Sequence, residues 1–334
     1  MDPTQAPKEA TAFWTVAPGR GELRAGELRP PLAGEALVRT LHSGISRGSE
    51  TLVYQGQVPA SVREQMRAPF QEGELPGPVK YGYLSVGVVE LGPPELAGRT
   101  VFCLYPHQDR YVVPAQSLVP VPDGVPARRA VLAGTVETAV NALWEAGPRL
   151  GDRIAVVGTG MVGLAVAALL RLFPLQQLQL VDTDPAREAA AKAVGGDFTS
   201  PAEAAGNCDL VIHCSASGSG LGTGLDLLGE EGELIELSWY GDREVLVPLG
   251  ASFHARRLSI RASQVGAVAR PRRSRRSTQD RLALSLELLK DPVFDRLLSG
   301  SSDFRQLPEV MDRLASGALP ALCHVIDYPA GPGR

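Results

Sequence analysis

Apolar positions fall into two regimes along the chain. Over roughly the first 120 residues they form short apolar or alternating runs, at 36–41, 85–90, 100–104 and 110–113. Pro and Gly bound each run, which predicts strands of a β-rich, barrel-like domain. Between them, 58–78 is a long polar, Pro-rich connection of the kind that is usually functional or mobile. From Arg149 onward, strand and helix patterns alternate. Residues 154–157 predict a buried strand, 161–173 an Ala/Leu/Val helix, 178–181 a strand, and 185–194 a helix with Pro in its first turn. Strands follow at 210–213 and 233–237 around a Gly-rich helical segment, with a last one at 258–262. Such alternation implies a parallel, doubly wound sheet. The tail reads as amphipathic helices at 279–289 and 307–314, then a strand at 322–326. No internal repeat is visible.

One turn in the second regime carries chemistry. Gly158-Thr159-Gly160-Met161-Val162-Gly163 is a GxGxxG placed directly after a buried strand and at the start of a helix. Gly158 permits the tight turn, Gly160 lets backbone approach a pyrophosphate, and Gly163 lets helix pack on strand. Asp182 lies 24 residues after Gly158, at the end of the next strand, followed by Thr183. A carboxylate there accepts ribose hydroxyls and repels a 2′-phosphate, so the expected cofactor is NAD. Asp184, just before Pro185, is read as a helix cap.

Composition narrows the class further. The chain has 334 residues with 44% hydrophobic and 21% charged, which fits one large or two ordinary domains and excludes a disordered chain. A net charge of −4 gives no electrostatic case for nucleic acid. Cys103, Cys208, Cys214 and Cys323 show no CxxC spacing and no disulfide framework. Positions 1–13 lack a signal-peptide core, and the longest apolar stretch is too short for a membrane span, so a cytoplasmic protein with no membrane partner is expected.

A β-rich first half followed by this dinucleotide motif resembles the medium-chain dehydrogenase/reductase superfamily, the alcohol-dehydrogenase-like group. Ser43-Gly-Ile-Ser-Arg-Gly-Ser-Glu50 is similar to its CGICGTD segment, and Pro78-Val-Lys-Tyr-Gly-Tyr-Leu-Ser-Val-Gly-Val-Val-Glu90 to its P-x-x-x-GHE-x-x-G-x-V segment. Leu132 to Ala139 resembles the lead-in to the coenzyme domain. The resemblance implies a GroES-like domain at 1–137 and 265–334, a Rossmann NAD-binding domain at 138–264, an active site in the cleft between them, and a homodimer. Where relatives hold catalytic zinc with thiolates and imidazole, this chain has Ser46, Tyr83 with Leu84, and Gly134, and it lacks the four-Cys structural lobe. Hydroxyls and glycine do not replace such ligands. No zinc is expected, as in the zinc-lacking branch that includes bacteriochlorophyllide 2-hydroxyethyl dehydrogenase-like proteins.

Without a metal, another group must polarise the reacting oxygen and exchange its proton. Tyr83 stands at a zinc-ligand position, and Lys80, three residues earlier, would lower its phenol pKa. His107 follows a strand end and suits proton exchange near neutrality; Glu50 would orient either. Ser215, Ser217 and Ser238, at carboxyl ends of parallel strands, are expected near the cofactor. Arg47 is placed at the pyrophosphate by the resemblance, and Thr138 is counted with the cofactor-binding set. Ser46, Glu137, Trp239 and Tyr240 are candidates for the substrate pocket. The other histidines, His213 among them, are read as satisfied by local bonds. The basic run at 270–276, with five Arg in seven residues, is either a solvated loop or a site for an anionic group. The expected activity is NAD(H)-dependent interconversion of an alcohol and a ketone, or reduction of an imine, on a small polar metabolite. An enoyl-reductase or quinone-oxidoreductase-like enzyme, or a non-catalytic dinucleotide-binding protein, are the alternatives.

Overall fold

The computed structural model describes residues 7–329. Positions 1–6, which open the polar N-terminal stretch, and 330–334, which end the second segment of the expected GroES-like domain, lie outside the described residues. The chain divides into two units, Met1–Gly134 with Leu298–Arg334, and Thr135–Leu297.

The first unit is built from antiparallel strands. β1 (Glu9–Ala17) and β2 (Arg20–Glu27) form a hairpin that the apolar pattern does not announce, because β2 is charged and mostly exposed. β3 (Glu35–Ser46) is long and largely buried, and it runs straight into α1 (Arg47–Tyr54). The two-residue strands β4 (Glu72–Gly73) and β5 (Val79–Lys80) bracket the end of the Pro-rich connection and join the hairpin in the order β2-β1-β5-β4. The barrel-like runs become β6 (Ser85–Leu91), β7 (Thr100–Cys103) and β8 (Arg110–Pro114), with β9 (Val119–Pro120) and α2 (Ala127–Ala130) after them.

The chain passes into the second unit along α3 (Ala133–Ala146). Here β10 (Arg153–Val157), α4 (Met161–Leu170), β11 (Gln177–Val181), α5 (Glu188–Ala193) and β12 (Asp197–Thr199) alternate. β13 (Cys208–His213), α6 (Gly218–Leu227), β14 (Leu228–Glu236), α7 (Ser252–Ala255) and β15 (Ser259–Ala262) continue the series. All six strands are parallel, in the order β12-β11-β10-β13-β14-β15. That order reverses beside β10, the topological switch point at which doubly wound sheets bind ligands. α4 is apolar nearly all round because it is buried nearly all round.

The second unit also takes in α8 (Thr278–Leu288). The expected return to the first domain at 265 therefore comes later, at Leu298. The physical reason is Arg281, which is 1% exposed. It donates to Glu137 (3.0 Å), to Asn141 (2.5 Å), and to the carbonyls of Val265 (2.5 Å) and Ala267 (3.2 Å). Stripping one member from a buried pair of this kind costs about 3–5 kcal/mol, enough to hold α8 to α3. β16 (Leu298–Asp303), α9 (Leu307–Ala315) and β17 (Cys323–Asp327) then complete the first unit. Its larger sheet runs β16-β17-β3-β6-β7-β9, with β8 also paired to β3. Ile45, Tyr54, Phe304, Met311 and Ile326 share one core there.

Candidate functional site

In the second unit, Gly158, Thr159 and Gly160 make the turn between β10 and α4. Gly158 has φ +98°, and the Ser215 backbone lies where its Cβ would be. A side chain at Gly163 would run into the Gly158 carbonyl, so the helix start closes tightly on the turn. Gly160 differs: it is exposed, with nothing within 4 Å of a Cβ position. No side chain caps α4 there. The turn thus has a packed inner side, an open outer side, and helix-end amides available to an anion. Met161 is buried, its sulfur 3.5 Å from the Thr135 hydroxyl, and Val162 is half-buried.

Asp182 follows the end of β11. Its Oδ2 accepts from the N–H and the hydroxyl of Thr159, each at 2.7 Å, and Oδ1 accepts from the Asp184 N–H at 3.0 Å. Burial opposes ionisation, but the bonds from Thr159 and Asp184 outweigh it and hold the carboxyl below its usual range. The Thr183 N–H also bonds to this carboxylate, so Asp182 is oriented by donors from Thr159, Thr183 and Asp184. Thr183 is exposed. Asp184 accepts from Ala186 N–H at 3.0 Å and caps the short turn at Pro185, as its sequence context predicts.

The carboxyl ends of β13 and β14 carry a polar chain. Buried His213 has Nδ1 at 2.7 and 2.9 Å from the Glu236 carboxylate and Nε2 at 2.6 Å from Ser215 Oγ. Ser215 Oγ lies 2.9 Å from Ser217 Oγ, which caps α6 by accepting from Gly220 N–H. Ser238 Oγ accepts from Ala216 N–H at 3.1 Å, and the Ser238 N–H donates to Glu236 at 2.8 Å. Tyr240 donates to Glu236 at 3.0 Å and stacks on the His213 ring. Burial would raise Glu236, yet the bond to His213 outweighs it and the carboxyl sits below its usual range. The predicted residues Ser215, Ser217, Ser238 and Tyr240 are therefore gathered around a His213–Glu236 pair. His213 was expected to be satisfied locally and is; Glu236 carried no motif that would single it out. Trp239 is half-buried beside them in sequence. Glu137 is 4% exposed and its carboxylate accepts from Arg281, while Thr138 is half-buried on α3.

The first unit gathers a different set. Because β3 runs into α1, Ser43, Ser46 and Glu50 fall around one strand-to-helix junction. Glu50 Oε1 accepts from Ser46 N–H at 2.7 Å, and Oε2 lies 2.8 Å from His107 Nε2. His107 Nδ1 is 2.7 Å from Ser43 Oγ, which is 3.0 Å from the Tyr328 hydroxyl. Every one of these side chains is buried. Half-buried Tyr83 packs edge-on against Tyr81, with ring centroids 5.9 Å apart. Burial first, and then the Glu50 charge, push its phenol up to about 12 although the Ser46 and Ser49 hydroxyls bond to it. The structure brings together Tyr83, Glu50, His107 and Ser46 from the predicted list, and adds Ser43, Tyr81 and Tyr328.

Lys80 is not among them. Its ammonium donates to Glu72 (2.5 Å), Gln108 (2.6 Å) and the Tyr105 hydroxyl (3.4 Å), and lies 5.3 Å from the centroid of the Tyr105 ring. Burial lowers its pKa against the pull of Glu72. The expectation that Lys80 lowers the Tyr83 phenol is therefore corrected: the phenol is raised, and the ammonium is committed elsewhere. Arg47 is exposed as the first residue of α1.

Among the described residues, no group of three or more His, Cys, Asp or Glu side chains is arranged to hold a metal. At the junction, Ser46 offers a hydroxyl, and Glu50 and His107 face one another; Gly134 has no side chain and lies against Leu84 and Phe102. This donor set does not suit zinc. No helix among the described residues is long and apolar enough to cross a membrane.

No family model matches the chain. Sorbitol dehydrogenase of Gallus gallus is 27% identical over 124 residues, which span 34% of this chain and 35% of that protein. Among solved structures, L-idonate 5-dehydrogenase from Escherichia coli is similar with a TM-score of 0.78 at 17% identity, over 96% of this chain and 98% of that one. 2R,3R-butanediol dehydrogenase from Bacillus subtilis gives a TM-score of 0.76 at 15% identity, over 96% and 100%. An Escherichia coli alcohol dehydrogenase complexed with NADH gives 0.76 at 15%, again over 96% and 100%. These likenesses show the fold: a GroES-like β-rich domain with a doubly wound Rossmann domain.

Proposed function

We propose that the protein is an NAD(H)-dependent oxidoreductase of the medium-chain dehydrogenase/reductase superfamily, working without zinc. It interconverts an alcohol and a ketone, or reduces an imine, on a small polar metabolite. The observation that carries this reading is the turn from Gly158 to Gly163, open at Gly160 and bonded through Thr159 to Asp182. Similarity to dehydrogenases named for sorbitol, idonate and butanediol supports the alcohol–ketone chemistry, and the neighbour complexed with NADH supports the cofactor class.

The residues fit a dinucleotide. The amides at the start of α4 take the pyrophosphate, and the Asp182 carboxylate, at the end of β11, takes a ribose hydroxyl. Ser215, Ser217 and Ser238 supply hydroxyls at the strand ends. When bound, the nicotinamide supplies the hydride acceptor or donor. The chain's own part is proton chemistry. Tyr83 holds its proton at the phenolic oxygen far into the alkaline range and donates a hydrogen bond to the substrate oxygen. His107 acts as a positioning residue, since both ring nitrogens are engaged and only 1% of the residue is exposed. Through Glu50 it keeps the charge that raises Tyr83 in place.

The test is a spectrophotometric screen of polyols, hydroxy acids, ketones and imines with NADH/NAD and NADPH/NADP, with metal analysis of the same preparation. Turnover with NAD(H) on an alcohol–ketone pair is the expected result. Tenfold tighter binding of NADPH would sink the account of Asp182, and stoichiometric zinc required for turnover would sink the metal-free part.

A further inference from the structure

Away from the residues assigned above, the second unit carries a groove of about 550 Å³ between α3, the end of α4, α8 and the turn before α8. Leu143, Trp144, Leu172, Phe173, Leu284 and Leu288 supply most of its large apolar lining, and among the described residues no carboxylate lines it. Several of these are more exposed than a monomer's core residues would be: Leu172 is 61% exposed, and Phe173 and Leu284 are 37% each. Among the described residues, the charged groups in the lining are Arg272 and Arg275. Both are exposed, and neither has an ion-pair partner among the described residues.

These two guanidiniums come from the basic run at 270–276 that the proposed activity leaves unused. The run is not a loose loop. Arg275 N–H donates to the Arg272 carbonyl at 2.9 Å, Arg272 N–H to Ala269, and Arg273 Nε to the Val268 carbonyl at 3.1 Å. This turn geometry puts Arg272 and Arg275, three positions apart, on one side. An apolar trough with paired cationic heads in its wall is complementary to a molecule with one anionic end and one apolar chain. A long exposed apolar surface of this kind marks an interaction site. Its volume falls within the range of small-molecule sites, roughly 300–1,000 Å³, which favours a single-chain ligand over a protein partner.

We infer that this groove binds a single-chain carboxylate amphiphile of the fatty-acid type. Its head is held bidentately by Arg272 and Arg275, and its chain lies along Trp144, Phe173, Leu284 and Leu288. The inference does not depend on the oxidoreductase reading.

The experiment titrates the full chain with laurate, kept well below its micelle-forming concentration, and follows Trp144 emission alongside calorimetry. Dodecyltrimethylammonium and dodecanol serve as the cationic and neutral controls. Saturable one-to-one laurate binding is expected, at least tenfold tighter than either control. The double variant R272E/R275E should weaken laurate at least tenfold, leave dodecanol within twofold, and keep the parent's circular dichroism and Tm. Leu284→Gln should weaken laurate and dodecanol together. No saturation, equal affinity for the cationic control, or insensitivity to R272E/R275E would overturn the proposal. So would sedimentation showing a dimer that Leu284→Gln dissociates and laurate does not.

Discussion

Each unit contains a chain of glutamate, histidine and serine, and the two chains have nearly the same bond lengths. In the first unit Glu50, His107 and Ser43 are linked at 2.8 and 2.7 Å. In the second, Glu236, His213 and Ser215 are linked at 2.7 and 2.6 Å. Their surroundings differ. The first is sealed among phenols, and its carboxylate also anchors the Ser46 amide at a strand-to-helix junction. The second ends in half-buried serines, with Ser217 capping α6 beside the turn from Gly158 to Gly163. A hydrogen-bonded triad is therefore not a function by itself. The sealed chain sets the electrostatics of one phenol, and the open chain arranges a polar rim.

The largest difference between them should appear in stability. Glu50→Ala leaves the Ser46 N–H and His107 Nε2 buried without partners, at a cost of about 3 kcal/mol. Glu236→Ala, which water can reach, should cost about 1 kcal/mol. Urea denaturation of both variants checks this; equal losses would erase the distinction. Next comes turnover. Tyr83→Phe should lower kcat by about 100-fold, the ordinary worth of a positioned proton donor. Its Tm should stay near the parent's, because the ring still packs on Tyr81. A Tyr83→Phe enzyme with unchanged kcat would remove the phenol from the chemistry.

A smaller effect is expected at Asp182. Replacing it with Ala removes the repulsion of a 2′-phosphate and should shift the NADH-to-NADPH affinity ratio about tenfold toward NADPH, or about 1.4 kcal/mol. Fluorescence titration with both cofactors reads the ratio. The smallest effect concerns acid. Asp182 and Glu236 both have carboxyl pKa values below their ordinary ones. Their stabilisation is present above the ordinary carboxylate range and fades as pH falls through it toward the lower folded values. D182N and E236Q should each flatten the loss of stability between about pH 5 and pH 3; parallel curves would show that these shifts do not matter.

Much of the second unit was readable in the chain because its signals are local. A buried strand, three glycines and an acid at the next strand end lie within 30 positions of one another. The first unit was readable only in part. β1 and β2 escaped notice because one is diluted with Thr and Ala and the other is charged; their pairing, not their patterns, makes them strands. The link from Ser43 to Tyr328 joins residues 285 positions apart, which no spacing rule reaches. Lys80 stands three positions from Tyr83 in sequence, yet its ammonium is engaged by Glu72, Gln108 and Tyr105 instead, so spacing along the chain does not fix the pairing. Arg281 has no distinguishing sequence context; its four partners come from distant residues of the second unit.

The order of the chain has a consequence for how the protein is made. Positions 135–297 are contiguous, but the first unit is assembled from two segments that flank them. β3, near the centre of that unit, pairs with β17, which is synthesised only after the whole of the second unit. On the ribosome the Rossmann unit should therefore complete before the GroES-like unit, whose long central strand waits with one edge unpaired until the second unit has been made. Nascent chains arrested just after residue 297 should resist protease across the second unit while remaining cleavable around β3. Equal protection of both would show that the first unit closes without its final strands.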